Sequence, residues 1–149
     1  MGQRLQKVVA ATPLPEEVLI SIAGGLLLQR ILPWRLAGPV WPLVGWPLST
    51  GAAAFYARAW AVRGFGSDLE HPESLITTGP YAVSRHPLYV GALLIQVGVG
   101  CLSRTGWVLA AWPWVARRAH AWVMLEEDEL AGQFGDEWTE YAGRVPRWV

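Results

Sequence analysis

The chain has 149 residues, one domain's worth, with 16 Gly, 11 Pro and 10 Trp among them. Charged residues make up 16%, against roughly 25% in ordinary soluble proteins. Twelve basic and 12 acidic residues leave no net charge, which excludes the electrostatic footprint of a nucleic-acid binder. A single cysteine, Cys101, excludes an intramolecular disulfide framework and a cysteine-rich zinc site.

In chain order, four stretches are poor enough in charge to cross a bilayer, which takes about 20 mostly apolar residues per helix. The first, over about 16–34, opens after Glu16 and Glu17, is apolar from Val18 to Leu28, and then absorbs Gln29, Arg30 and Pro33. The second, about 39–60, has Pro42 and Pro47 in its first half, where they are expected to break it, and three alanines at 52–54. The third, 87–102, has no charge, and the fourth, about 107–125, carries Arg117, Arg118 and His120. Four such stretches, with so few charges to cover a surface, favour spans over buried helices of a soluble bundle. The expected fold is all-α: one polytopic integral membrane domain over 1–149, with about four transmembrane helices and a C-terminal cytoplasmic helical segment. Trp34, Trp41, Trp60, Trp107 and Trp122 fall near the expected span ends, where the bilayer interface favours tryptophan.

Arginine placement tests that topology independently. With a cytoplasmic N-terminus, nine of the twelve basic residues (Arg4, Lys7, Arg58, Arg63, Arg85, Arg117, Arg118, Arg144 and Arg147) lie inside, and only Arg30, Arg35 and Arg104 lie outside. This follows the positive-inside rule. It puts both termini, and the polar segments 61–86 and 126–149, on the cytoplasmic face of a plasma or inner membrane. Arg4 and Lys7 ahead of Val18–Leu28 resemble a signal peptide, but residues 12–17 intervene and no small-x-small cleavage site follows. The segment is expected to stay attached as the first span.

Two segments carry the candidate chemistry. In 75–91, Thr78, Gly79 and Pro80 read as a turn. Arg85 and His86 precede Pro87, which suits the first position of a helix. The third span therefore opens beside two side chains able to bind an anion or polar ligand at its positive dipole end. Gly91 and Gly98, seven apart, share one face of that helix, along which a ligand or another backbone can come close. In 125–147, four acids at 126–129 follow directly on the fourth span. Acids at a helix C-terminal end oppose its dipole, so the helix is expected to continue into water. Arg117 and Arg118, about two turns back, are close enough to the interface to face a shared cavity. Basic and acidic groups gathered near the Arg-His pair suit a zwitterion.

Thr-Gly-Pro-Tyr (78–81), Arg-His-Pro-x-Tyr-x-Gly (85–91), Glu-Glu-x-x-Leu (126–130), Phe-Gly (134–135) and x-Tyr-x-x-Arg-Val-Pro-Arg (140–147) occur in that order. Together they resemble the membrane-embedded methyltransferases related to isoprenylcysteine carboxyl methyltransferase and phospholipid N-methyltransferase, over roughly residues 61–147. Trp138 departs from the family's usual Tyr.

The resemblance implies S-adenosyl-L-methionine bound without a Rossmann fold, in keeping with the absence of a strand followed by Gly-x-Gly-x-x-Gly. It implies a cofactor-binding core over about 75–147, with Thr78, Gly79, Pro80, Tyr81, His86, Tyr89 and Gly91 lining the cofactor. Glu126 and Glu127 would meet its ammonium or ribose hydroxyls. Arg85 and Glu127 are the candidate catalytic groups, Arg85 orienting the acceptor or the cofactor carboxylate. No metal is implied. The acceptor would be a lipophilic small molecule or lipid with a carboxylate or amine, methylated at the cytoplasmic face among membrane lipids. Two alternatives stay open: a membrane reductase of related fold using NADPH, and a non-catalytic accessory or scaffold protein. In the scaffold reading the glycine stripe is a face for a homodimer.

Overall fold

The computed structural model describes residues 15–64 and 74–149. Arg4 and Lys7, and the middle of the polar segment 61–86, lie outside the described residues. The described elements are helices joined by loops: α1 (Glu16–Ile31), α2 (Val40–Arg63), a 3-10 turn (Gly79–Ala82), α3 (Pro87–Leu102), α4 (Gly106–Phe134) and α5 (Asp136–Arg144). Among the described residues the only β feature is a bridge between Arg35 and Thr105.

Each long helix occupies one of the four expected stretches. α4 runs past residue 125 to Phe134, as the acids at 126–129 require, and stops at Gly135, whose φ of 51° is cheap for glycine. The prolines of the second stretch do not break it, because α2 is continuous through both. Pro42 falls in the first turn, where backbone N–H groups lack an intrahelical partner anyway. Pro47 lies inside and deprives the Leu43 carbonyl of its usual donor. Leu43 is 73% exposed, so that carbonyl lies on the outer side of the bundle.

Small residues set the closest helix contact. A side chain at Gly98 would strike Ser49, whose backbone N and Cα lie 2.9 and 3.0 Å from the Cβ position. At Gly45 it would strike the Leu102 backbone at 2.6 Å, and at Gly91 the Tyr56 Cβ at 3.0 Å. The stripe of α3 is thus filled by α2 of the same chain, rather than facing outward as a dimer surface would. Val18, Ala92, Leu93, Val115 and Ala119 form a core between α1, α3 and α4. Gln96, fully buried, donates from Nε2 to the Val108 carbonyl at 3.2 Å, tying α3 to α4.

One end of the bundle is stitched by its loops. The Leu36 N–H donates to the Arg104 carbonyl (3.0 Å), the Gly106 N–H to that of Trp34 (2.9 Å), and Arg104 Nε to that of Leu36 (3.0 Å). Trp34 and Trp107 meet edge to face at 5.1 Å. The up-and-down helix order then brings the end of α2, the start of α3, the last turns of α4, and α5 to the opposite end. Among the described residues no helix is long and apolar enough to cross a membrane. α3, with 16 residues, spans only about 24 Å at the usual rise. Yet the outer faces of α1 and α2 are apolar: Ile20, Leu27, Leu43 and Trp46 are all more than 60% exposed.

Candidate active site

Glu127 is the hub of the open end. It lies two turns from the end of α4, and its side chain is only 8% exposed. Its Oε1 accepts from Arg147 Nε at 3.1 Å and faces His86 Nε2 at 3.0 Å. Its Oε2 accepts from Arg147 Nη2 at 2.9 Å and Arg85 Nη1 at 3.2 Å. Arg147 therefore grips the carboxylate with two parallel bonds, the strongest ionic geometry available to arginine. Burial raises the Glu127 carboxyl, but the Arg147 bonds, His86 and Arg85 outweigh it and hold Glu127 below the usual carboxylate range. The same contact pushes the Arg147 guanidinium up.

The sequence around Pro87 explains how these groups meet. Pro87 starts α3, so Arg85 and His86 belong to the extended entry and project beside the helix N-terminus. That entry is fixed by the segment after α5. The Arg85 N–H donates to the Pro146 carbonyl at 3.0 Å. The Ser84 hydroxyl donates to the Arg147 carbonyl at 3.1 Å and accepts from the His86 N–H at 3.2 Å. Trp148 leans on His86, with ring centres 6.3 Å apart. Tyr141 of α5 donates its hydroxyl to the Tyr81 carbonyl at 2.7 Å, docking α5 on the 3-10 turn.

Glu126 points elsewhere. Its Oε2 lies 3.6 Å from His86 Nδ1, its side chain is 35% exposed, and it lines a cleft with Arg63, Tyr81, Arg85, Trp138 and Tyr141. The cleft encloses a cavity of about 70 Å3. Burial raises the Glu126 carboxyl, but His86 and then Arg63 overcome it and hold it low. The Arg85 guanidinium stacks over the Trp138 ring at 5.6 Å, and its buried Nε has no hydrogen-bond partner among the described residues. Burial pushes the Tyr81 phenol up, and the Tyr141 phenol up to about 12, so both keep their protons as donors.

Of the residues singled out in the sequence, Arg85, His86, Glu126 and Glu127 come together, and Tyr81 lines the same cleft. Tyr89 lies edge-on to the His86 ring at 6.1 Å. Thr78 and Gly79 are exposed at the entrance and Pro80 is buried. Gly79, at φ 61°, sits within 3.2 Å of the end of α2 at Val62, measured from its Cβ position. Gly91 is farther along α3, against Tyr56. Arg118 does not face this site: it pairs with Glu17 of α1 at 3.8 Å and lies over Trp122. The arginines that pair with Glu127 are Arg85 and Arg147, and Arg63 lines the cleft beside Glu126. Sequence reasoning missed Arg147, Ser84, Arg63, Trp138 and Tyr141 as site residues. Arg147 closes the last motif and Ser84 directly precedes the Arg-His pair, but neither spacing reveals the partner. Among the described residues no three His, Cys, Asp or Glu side chains cluster to hold a metal ion.

Among the described residues, helices alone bring opposed charges to one end of the bundle and no sheet is present, which defines a class of helical proteins with a polar terminal site. The chain belongs to the phospholipid methyltransferase family, whose family model matches residues 43–137. It is 34% identical over 85 residues to protein-S-isoprenylcysteine O-methyltransferase B of Arabidopsis thaliana, a match covering 54% of this chain and 41% of that protein. It is 33% identical over 78 residues to protein-S-isoprenylcysteine O-methyltransferase of Xenopus laevis, covering 49% and 26%. It is also 36% identical over 73 residues to the cobalt-zinc-cadmium resistance protein CzcN of Cupriavidus metallidurans, covering 49% and 34%. The chain thus spans between a quarter and two fifths of the length of these relatives. No solved structure matches it.

Proposed function

We propose that the protein is an S-adenosyl-L-methionine-dependent methyltransferase that works at the cytoplasmic face of a membrane on a lipophilic or amphipathic acceptor. The observation that carries this reading is the pairing of Glu126 and Glu127 with Arg85 and His86 at the start of α3. The cofactor presents a sulfonium cation and an amino-acid zwitterion, so it needs acidic and basic partners side by side. The donor set fits: a half-exposed carboxylate, a guanidinium with a buried N–H to spare, and aromatic walls. In this reading the Thr78–Tyr81 turn, His86, Tyr89 and Gly91 border the cofactor, the acidic end of α4 offers a carboxylate to its ammonium or ribose hydroxyls, and Arg85 orients a carboxylate.

When bound, the cofactor supplies an electrophilic methyl group. The chain's own task is then mostly positioning, because an in-line displacement that neutralises charge gains most from correct placement. Trp138 and Tyr141 wall the cleft against water, while Arg85 and Arg63 hold negative charge in place. A carboxylate acceptor brings its own nucleophilic lone pair and asks for no base. An amine acceptor must lose a proton, for which His86 or Glu126 is at hand.

The membrane part of the proposal rests on the apolar outer faces of α1 and α2. Large apolar side chains such as Ile20, Leu27, Leu43 and Trp46 are exposed there, and clustered exposed apolar surface is what a membrane or another protein covers. The whole chain is one domain in this reading, four helices crossing the bilayer with both termini cytoplasmic. The cleft then opens where a lipid-soluble acceptor arriving sideways meets a cofactor arriving from the cytoplasm.

Purified protein in detergent is expected to be stabilised against heat by S-adenosylhomocysteine, and not by NADPH. Membranes given methyl-labelled S-adenosylmethionine should transfer label to a lipid-soluble product. Stabilisation by NADPH would identify a reductase instead. Stabilisation by neither ligand, with no labelled product, would leave a non-catalytic role.

A further inference from the structure

The two adjacent acids at the end of α4 are not equivalent. Glu127 is 8% exposed, and its four contacts, two from Arg147 and one each from Arg85 and His86, use both oxygens. A carboxylate has about four acceptor sites, so Glu127 has none left for an ammonium or a ribose hydroxyl. Glu126 has the opposite profile: it is 35% exposed, makes one loose contact at 3.6 Å, and borders the cleft. Consecutive helical residues point about 100° apart, which is how one turn of α4 sends one acid into the protein and the other into the cleft.

We propose that Glu126 is the carboxylate that touches the ligand, and that Glu127 is a positioning residue, locked by Arg147, that fixes Arg85 and His86 beside it. This division rests on the cofactor reading above but is read from saturation of the carboxylate, not from the motif. Arg147 belongs to the same device. Its backbone carbonyl holds Ser84, the neighbouring Pro146 carbonyl holds the Arg85 N–H, and its guanidinium holds Glu127. The segment after α5 therefore clamps the Ser-Arg-His entry of α3 from both main chain and side chain.

The opposite arrangement, in which Glu127 binds the ligand directly, makes Arg147 a competitor for its oxygens. The two arrangements assign opposite signs to one substitution. S-adenosylhomocysteine affinity is measured by calorimetry on the full chain in detergent, alongside the thermal midpoint of the unliganded protein. Glu126→Gln is expected to weaken binding tenfold or more, with a smaller loss of midpoint than Glu127→Gln. Arg147→Ala is expected to weaken binding several-fold by loosening Arg85 and His86, and Arg147→Lys to recover part of the loss. Unchanged or tighter binding in Arg147→Ala would overturn the proposal, as would a wild-type affinity in Glu126→Gln.

The clamp is also read without ligand. Midpoint losses in Glu127→Gln and Arg147→Ala should be strongly non-additive in the double variant, because both break one contact, and clearly more so than those of Glu126→Gln and Arg147→Ala, which share no direct contact. Additivity of the first pair would overturn the clamp. If Arg147→Ala does not fold, Arg147→Lys and Arg147→Gln carry the same two readings. Failure of the wild-type protein to bind S-adenosylhomocysteine would sink the cofactor reading and Glu126's role in it. The ligand-free cycle would still decide whether Glu127 is a clamp.

Discussion

Glu127 shows how much of this site depends on one buried charge. Removing the negative charge while keeping the shape leaves Arg85 and Arg147 facing each other across a neutral amide. Breaking a buried ion pair in this way costs about 3 kcal/mol, so Glu127→Gln should melt at a clearly lower temperature. The pH dependence follows from the same contacts. Because Glu127 and Glu126 are held below the ordinary value of 4.5, the folded protein binds their protons less readily than the unfolded chain does. The stability they contribute is fully present above that ordinary value. It disappears as pH falls through their lower folded values. Thermal melts of the wild type should therefore drop steeply with acid below about pH 4.5. In Glu127→Gln the drop should be shallower; an equal slope in both proteins would show that other groups dominate acid unfolding. At this scale the sequence was half legible. Arg-His-Pro and Glu-Glu stood out because a proline start and an acidic run are local signals. Arg147 did not, because its partner lies twenty residues back and only folding brings them together.

The close packing of α2 on α3 is a property of elements, and small residues enforce it. Gly98→Ala would push a methyl group into the Ser49 backbone, which cannot swing away as a side-chain tip can. Overpacking of this kind costs typically 1–3 kcal/mol, so roughly 2 kcal/mol is expected here. Gly132→Ala is the matching control. It lies in α4 with nothing within 4 Å of its Cβ position, and alanine favours a helix over glycine by about 1 kcal/mol. Denaturant or thermal unfolding should therefore move in opposite directions for the two variants. Helix starts were the most legible feature, since the four charge-poor stretches begin within one position of α1 to α4, whereas α4 runs nine residues past the end of its stretch. The helix of the second stretch misled because a proline in sequence reads as a break. In a helix whose outer carbonyls face away from the core, the ring sits on the surface and the helix continues. Arg118 misled for a related reason: the fourth stretch places it near the interface, but only the packing of α1 shows that Glu17 takes it.

For the whole molecule, the decisive feature is that one end is closed by loops and the other gathers every charged group of the site. If the bundle lies across a membrane as proposed, the two ends face opposite compartments. Single cysteines in place of Ser74 and Ala37, with the buried Cys101 replaced by alanine, test this. A membrane-impermeant maleimide should label Ser74→Cys only from the cytoplasmic side and Ala37→Cys only from the other. Labelling of both from one side would remove the membrane-crossing arrangement while leaving the site intact. The expectation of sidedness rests on arginine placement in the sequence, nine basic residues against three. What it could not convey was which parts of residues 126–149 turn back onto Arg85 and His86. That return has a consequence for truncation. A chain cut just after α5 would keep all four long helices and lose Arg147, leaving Glu127 to Arg85 and His86 alone and taking away the carbonyls that hold Ser84 and Arg85. A handful of residues outside every helix therefore weighs on the site as heavily as a helix does.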